Sequence, residues 1–313
     1  MPKLLSEILD IKHSVIVAPM FLVSNVVMVV EACKNGATAA IPALNYRSLE
    51  ELRNAIRSIK KQTDKSFGIN LIVNKSNPKF RGQLEVLLNE GVGYIITSLG
   101  SPKEVIEKCK PKGIKVFCDV VDLKYAKKVE RLGADAVIAV NNKAGGHCGP
   151  TDVDSLLKEL CNNISIPVIS AGGVTSKIHL DQSIALGACG VSVGTVFLAS
   201  IEAPISEEYK KALIDYGEKD IVLSTKISGS HLTVINTPYV QKVGTEAGWF
   251  ESILLKNKWL KKYAKLYIAL KGMNQVKKSA FKPTYKTVWC AGPSIEDINE
   301  VRSLKDILKD ITQ

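Results

Sequence analysis

The sequence predicts an α/β protein: a (β/α)8 TIM barrel with a mostly helical C-terminal extension. Three observations point there. From Ser14 to about Gly217, short β-branched runs alternate with amphipathic helical stretches. The runs are almost continuously apolar, as in parallel strands covered on both faces. There are eight of them, which fits a closed barrel, with a doubly wound open sheet as the alternative.

In order, the strand candidates are SVIVA (14–18), TAAIPA (38–43), SFGINLI (66–72), YIITS (94–98), IKVFCDV (114–120), ADAVIAV (134–140), PVISA (167–171) and GVSV (190–193). Between them lie helical patterns such as SLEELRNAIRSIKKQ and LKYAKKVERLGA. Gly36, Gly133 and Gly187 each stand just before a strand, where a left-handed residue ends a helix. This places an α/β barrel over residues 1–220 and an extension over 221–313. After Gly217 the chain reads as short extended pieces, then as a Lys-rich amphipathic helix over 247–271. Leu255, Trp259, Tyr263 and Tyr267 recur on one face of that helix. Its apolar face is expected to pack on or near the barrel with the lysines in water. A lid, the arm of a homodimer, or a docking surface for an acidic partner are the alternatives.

Composition narrows the function classes. With 46% hydrophobic residues in 313, the chain has material for a large core. Of the net charge of +11, ten lysines fall within 252–286, where there is no Arg, Asp or Glu. The rest is close to neutral, so a nucleic-acid partner is not expected. The seven cysteines are odd in number and none forms a C-x-x-C pair, which predicts reduced thiols and neither a disulfide framework nor a metal site. No run of about 18 apolar residues suits a membrane span. The N-terminal MPKLLSEILDIKHS has no apolar stretch of signal-peptide type. A cytoplasmic protein is expected.

Ligands of a parallel barrel meet the loops at the C-terminal strand ends. The first strand ends in Ala18, Pro19 and Met20, the third at Asn70, and the fifth at Asp119. Asp119 reads equally as a ligand-binding carboxylate or as the cap of the next helix. After the seventh and eighth strands come Ala171, Gly172 and Gly173, then Gly194 and Thr195. Glycines here let backbone N–H groups approach an anion, with a helix starting near Thr175–Ser176, so a phosphate-bearing ligand is expected. The sixth strand runs into NNKAGGHCG. Gly145 and Gly146 bring backbone close to a ligand and His147 follows, a side chain whose ordinary pKa suits proton transfer. His13, His179 and His231 read as structural, and Cys148 as a less favoured catalytic thiol.

The segments IVAPM, GINL, GADAVIA, KAGGHCG, ISIPVISAGGV and GVSVGT together resemble the nitronate monooxygenase family, formerly 2-nitropropane dioxygenase. They are also similar to its relative, the flavin-dependent enoyl-acyl-carrier-protein reductase. The resemblance covers about residues 13–230. It implies flavin mononucleotide (FMN) over the barrel mouth, with Pro19 and Met20 beside the ring, Asn70 hydrogen-bonded to it, and Gly145 and Gly146 along it. Gly172, Gly173, Gly194 and Thr195 would hold its phosphate, and His147 matches the active-site base. Two positions depart from the family: Lys143 stands where an acidic residue is usual, and Ser192 where Gln is common. The implied reaction is oxidation of a small alkyl nitronate, or of the parent nitroalkane, with O2. The alternatives are reduction of an enoyl thioester by NAD(P)H through FMN, and a non-catalytic flavin-binding protein.

Overall fold

The computed structural model describes residues 3–74, 77–225, 232–246 and 288–313. The Lys-rich helix expected over 247–271, and His231, lie outside these residues.

Eight parallel strands close into a barrel: β1 (Val15–Val17), β2 (Thr38–Pro42), β3 (Gly68–Ile72), β4 (Tyr94–Ser98), β5 (Lys115–Val120), β6 (Ala136–Val140), β8 (Val168–Ala171) and β9 (Gly190–Val193). The fold is the TIM barrel that the alternation predicts. Closure is through Val15, Ile16 and Val17 of β1 beside Val191, Ser192 and Val193 of β9. The short strand β7 (Gly146–His147) stands apart from the wall in a second sheet with β10 (Ile221–Ser224) and β11 (Leu232–Ile235), in the order β10-β11-β7.

Strand alternation fills the barrel. Ile16, Ala40, Tyr94, Ile96, Phe117, Ala136, Ile138, Ile169 and Ala171 form its interior cluster, while the intervening residues face the helices. Tyr94 is fully buried, stacks on Phe117 at 5.0 Å between ring centroids, and donates to Ala39 O. It occupies the space that Gly68 leaves on the neighbouring strand: a Cβ at Gly68 would fall 2.1 Å from Tyr94 Cε2. The N-terminal end is closed by α1 (Leu5–Leu9), whose Leu5 and Leu9 join the interior cluster and whose Leu5 N–H donates to Cys189 O. The opposite end is left to the loops.

Outside lie α2 (Val26–Lys34), α3 (Leu49–Lys60), α4 (Phe80–Glu90), α5 (Lys103–Cys109), α6 (Leu123–Arg131), α7 (Val153–Asn163), α8 (Lys177–Ala185), the single turn α9 (Thr195–Leu198) and α10 (Glu207–Asp215). Asn25, Ser48, Asp122, Asp152 and Ser206 each accept a backbone N–H from the first turn of the helix they precede. Gly36, Gly133 and Gly187 have φ of 80°, 90° and 100°, the left-handed geometry expected of them.

Among described residues beyond 220, the chain forms β10, β11, α11 (Pro238–Val243), a 3-10 turn at Pro293–Asp297 and α12 (Leu304–Thr312). α12 packs against α2 and α8 and buries Leu304, Ile307, Leu308 and Ile311, so it completes the outer ring. β11 reaches the mouth through β7. Leu232, Val234, Val240 and Val288 form a small apolar cluster of their own, while Ile235, Ala291, Ile295 and the buried face of α12 join the main core.

Gly68→Ala is expected to destabilise the fold by about 1–3 kcal/mol, because the new methyl displaces a side chain with no free volume around it. Denaturant unfolding of the variant against wild type measures this; an unchanged midpoint would show that Tyr94 can move.

Candidate active site

Inward positions at the C-terminal strand ends form the floor of the mouth. On β3, β4 and β5 these are Asn70, Ser98 and Asp119, linked in a row. Asn70 Nδ2 donates to Ser98 Oγ at 2.7 Å and to Ile96 O at 3.3 Å, and the Ser98 hydroxyl donates to Asp119 Oδ2. Desolvation raises the Asp119 pKa from 3.8 to about 6, against the lowering effect of the Ser98 hydrogen bond. Asp119 does not cap the following helix; Asp122 does, accepting from Tyr125 N at 2.6 Å. Of the two readings of Asp119, the helix cap is therefore excluded.

The loop after β6 carries His147 and is held from three directions. Asn141, 1% exposed, donates from Nδ2 to Gly172 O at 3.0 Å and accepts Lys143 N–H at Oδ1 at 2.8 Å. A Cβ at Gly172 would fall 2.3 Å from Asn141 Oδ1 and 2.5 Å from Ala144 N, so the turns after β6 and β8 touch through backbone. Gly172 and Gly173 have φ of 115° and 82°. From another side, Gly292 N donates to Thr195 Oγ1 at 3.0 Å, and a Cβ at Gly145 would fall 2.7 Å from that oxygen. Gly145 therefore needs to be glycine for contact with protein. From the third side, Thr233 Oγ1 donates to Ala144 O at 3.1 Å and Gly146 O at 3.2 Å, while β11 pairs with Gly146 and His147.

The His147 side chain is accessible, yet protein surrounds it closely enough that desolvation lowers its pKa below 6.5. Its neutral form therefore persists at lower pH than for a free imidazole. Burial raises the pKa of neighbouring Cys148, which disfavours the thiolate. His179 closes the start of α8, its Nδ1 lying 3.1 Å from Thr175 Oγ1 and 3.2 Å from Ser176 Oγ, a structural role as expected.

Met20 and Gly194 come together across the first and last strands. Ala18 N donates to Val193 O at 2.8 Å, and a Cβ at Gly194 would meet nothing closer than Ala18 Cβ at 3.6 Å and Met20 at 3.9 Å. Ser24 Oγ accepts Met20 N–H at 2.8 Å and fixes that turn; Pro19 precedes it, half-buried. Ala171 ends β8 on the inner face. The expected residues thus divide into a polar row on β3–β5 and a glycine-lined group on β9, β1, β8 and the β6 loop. Sequence reasoning did not assign Ser98, Asn141, Thr233 or Gly292. The alternation Tyr94, Ile96, Ser98 could have found Ser98. Thr233 and Gly292 arrive from far along the chain, with no local signal. Among the described residues no group of His, Cys, Asp or Glu suits a metal ion, and all seven cysteines are free. No helix of these residues is long and apolar enough to cross a membrane.

These features define a (β/α)8 barrel with its site in the loops of the C-terminal mouth. Residues 73–313 match the family model described as nitronate monooxygenase, and the chain belongs to that family of oxidoreductases. It is 32% identical, over 76% of its length and 67% of the relative's, to (3aS,4S,5R,7aS)-5-hydroxy-7a-methyl-1-oxo-octahydro-1H-indene-4-carboxyl-CoA dehydrogenase of Rhodococcus jostii. It is 26% identical to a probable nitronate monooxygenase of Staphylococcus aureus, over 78% of this chain and 81% of that one. Among solved structures, FabK from Thermotoga maritima superposes with a TM-score of 0.84 at 26% identity, covering 98% of this chain and 94% of FabK.

A carboxyl whose folded pKa lies above its unfolded value holds its proton more tightly when folded. The stability this contributes is present below about pH 4 and lost as pH rises through about 6. Asp119→Asn, which still accepts from Ser98, should therefore gain stability relative to wild type across that window. Unfolding midpoints taken from pH 4 to 7 test this; a constant difference would contradict it.

Proposed function

We propose that this chain binds FMN across the barrel mouth and uses it to oxidise alkyl nitronates with O2, with His147 as proton acceptor when the neutral nitroalkane is the substrate. The observation that carries the reading is His147, whose pKa desolvation lowers and whose backbone β7 fixes beside a glycine-lined mouth.

The residues present fit such a cofactor. Gly194 faces open space bounded by Ala18 and Met20, and a Cβ at Gly146 would meet only Leu232 Cδ1, at 3.8 Å. Positive-φ glycines at 172 and 173 and the turn at Gly194–Thr195 offer backbone donors for one phosphate. In this reading Ala171, Gly172, Gly173, Gly194 and Thr195 hold the phosphate. Pro19 and Met20 flank the ring, Gly145 and Gly146 border it, and Asn70 and Asp119 meet its polar edge from the floor. When bound, FMN supplies the electron transfer between substrate and O2. The protein's part is to orient the substrate, exclude water and remove one proton. Neutral His147 Nε2 or Nδ1 accepts the α-proton of a nitroalkane, leaving the nitronate; a preformed nitronate needs no such step.

A second reading is FMN-dependent reduction of an enoyl thioester by NAD(P)H; the name of the Rhodococcus relative, a carboxyl-CoA dehydrogenase, supports a thioester substrate and leaves the direction of electron flow open. The two part on substrate: NADH oxidation driven by a crotonyl thioester, with nitronates inert, would select the second.

FMN, and not flavin adenine dinucleotide (FAD), is expected, since no G-x-G-x-x-G follows the first strand to hold a pyrophosphate. The mass of the chromophore released by heat checks this; recovery of FAD, or a protein that stays colourless with added FMN, would sink it. His147→Asn should slow oxidation of neutral nitroalkanes about 10²–10⁴-fold with flavin retained, and slow nitronates far less. The wild-type nitroalkane rate should rise with pH through a pKa below 6.5 and then level off, because only neutral imidazole accepts the proton. Equal losses on both substrate forms would contradict the role of base.

A further inference from the structure

We propose that Lys143 is a fixed countercharge for the phosphate of the bound flavin mononucleotide. The proposal rests on the FMN reading and adds a residue that the family resemblance does not supply, since an acid is usual at this position.

The placement of Lys143 is determined at both ends. Its backbone N–H donates to buried Asn141 Oδ1 at 2.8 Å, and its carbonyl lies under Gly292, where a Cβ would fall 2.7 Å from that oxygen. Its aliphatic stem crosses the turn after β8. A Cβ at Gly173 would lie 3.1 Å from Lys143 Cδ, 3.3 Å from its Cβ and 3.8 Å from its Cγ. Gly173 has φ of 82° and lacks the side chain that would push the stem away. The stem as far as Cδ lies against the 171–174 turn, and the ammonium, two bonds beyond, is within reach of an anion held by that turn's N–H groups.

The side chain is exposed, and among the described residues no carboxylate pairs with it. A lysine that only solvates a surface does not need its stem laid over a left-handed glycine. Lysine acts on a phosphate as a point charge with rotatable donors, so it serves without the fork geometry of arginine. Packing the stem removes part of its rotamer freedom before a ligand arrives, which lowers the entropic cost of the contact.

The test compares FMN with riboflavin, which has the same ring and no phosphate, by titration followed through flavin fluorescence. Lys143→Met keeps the stem across Gly173 and removes the charge; Lys143→Arg keeps the charge. Wild type should prefer FMN, and Lys143→Met should lose about ten- to a hundredfold of FMN affinity, the effect of one charge-assisted hydrogen bond, with riboflavin affinity unchanged. Lys143→Arg should retain most of the preference. Thermal melting of each variant reports folding separately. An FMN-to-riboflavin ratio that Lys143→Met leaves unchanged overturns the proposal while the FMN reading stands. Wild-type protein that binds neither flavin overturns both.

Discussion

Everything at the mouth depends on the backbone contact between the turn after β6 and the turn after β8. Gly172 lies against Asn141 and Ala144 at a distance that admits no Cβ, and the buried Asn141 side chain bridges the two turns. A buried amide with both ends engaged is costly to disturb, because each lost partner leaves a polar group without water or protein to satisfy it. One asparagine thereby sets where the glycine turns, Lys143 and the start of the His147 loop stand relative to one another.

The floor beneath has a different character. Asn70, Ser98 and Asp119 sit on strands whose positions the closed barrel dictates, and they share hydrogen bonds across adjacent strands. Rigid elements hold polar groups more accurately than loops do. The carboxyl of Asp119 bears the consequence, since burial makes its charge expensive and raises its pKa to about 6. His147 is shifted by the same physics in the opposite sense, since desolvation disfavours the charged form of each. Burial thus favours the neutral form of both groups.

Closure of the mouth also draws on residues remote in the chain. Thr233 and β11 secure the strand that bears His147, and Gly292 secures Thr195. α12 meanwhile fills the gap between α2 and α8. The stretch after residue 220 is thus bound up with the site through hydrogen bonds to the loop that carries the imidazole.

The sequence by itself determined the barrel and its orientation. Strand alternation, apolar runs and glycines before strands are local signals, each set by a few neighbouring residues and the geometry of the backbone. The same local logic located His147, Asn70, Asp119 and the glycine turns at strand ends, and the structure places them all at one mouth. It left Asp119 open between ligand group and helix cap. Only the tertiary structure decided that, because the choice turned on Asp122 reaching the helix start and on Ser98 lying one strand away. It also decided why Gly145 and Gly172 must lack side chains, which is contact with Thr195, Gly292, Asn141 and Ala144. Such requirements come from segments far apart in sequence meeting at van der Waals distance, and no local pattern encodes which segments will meet.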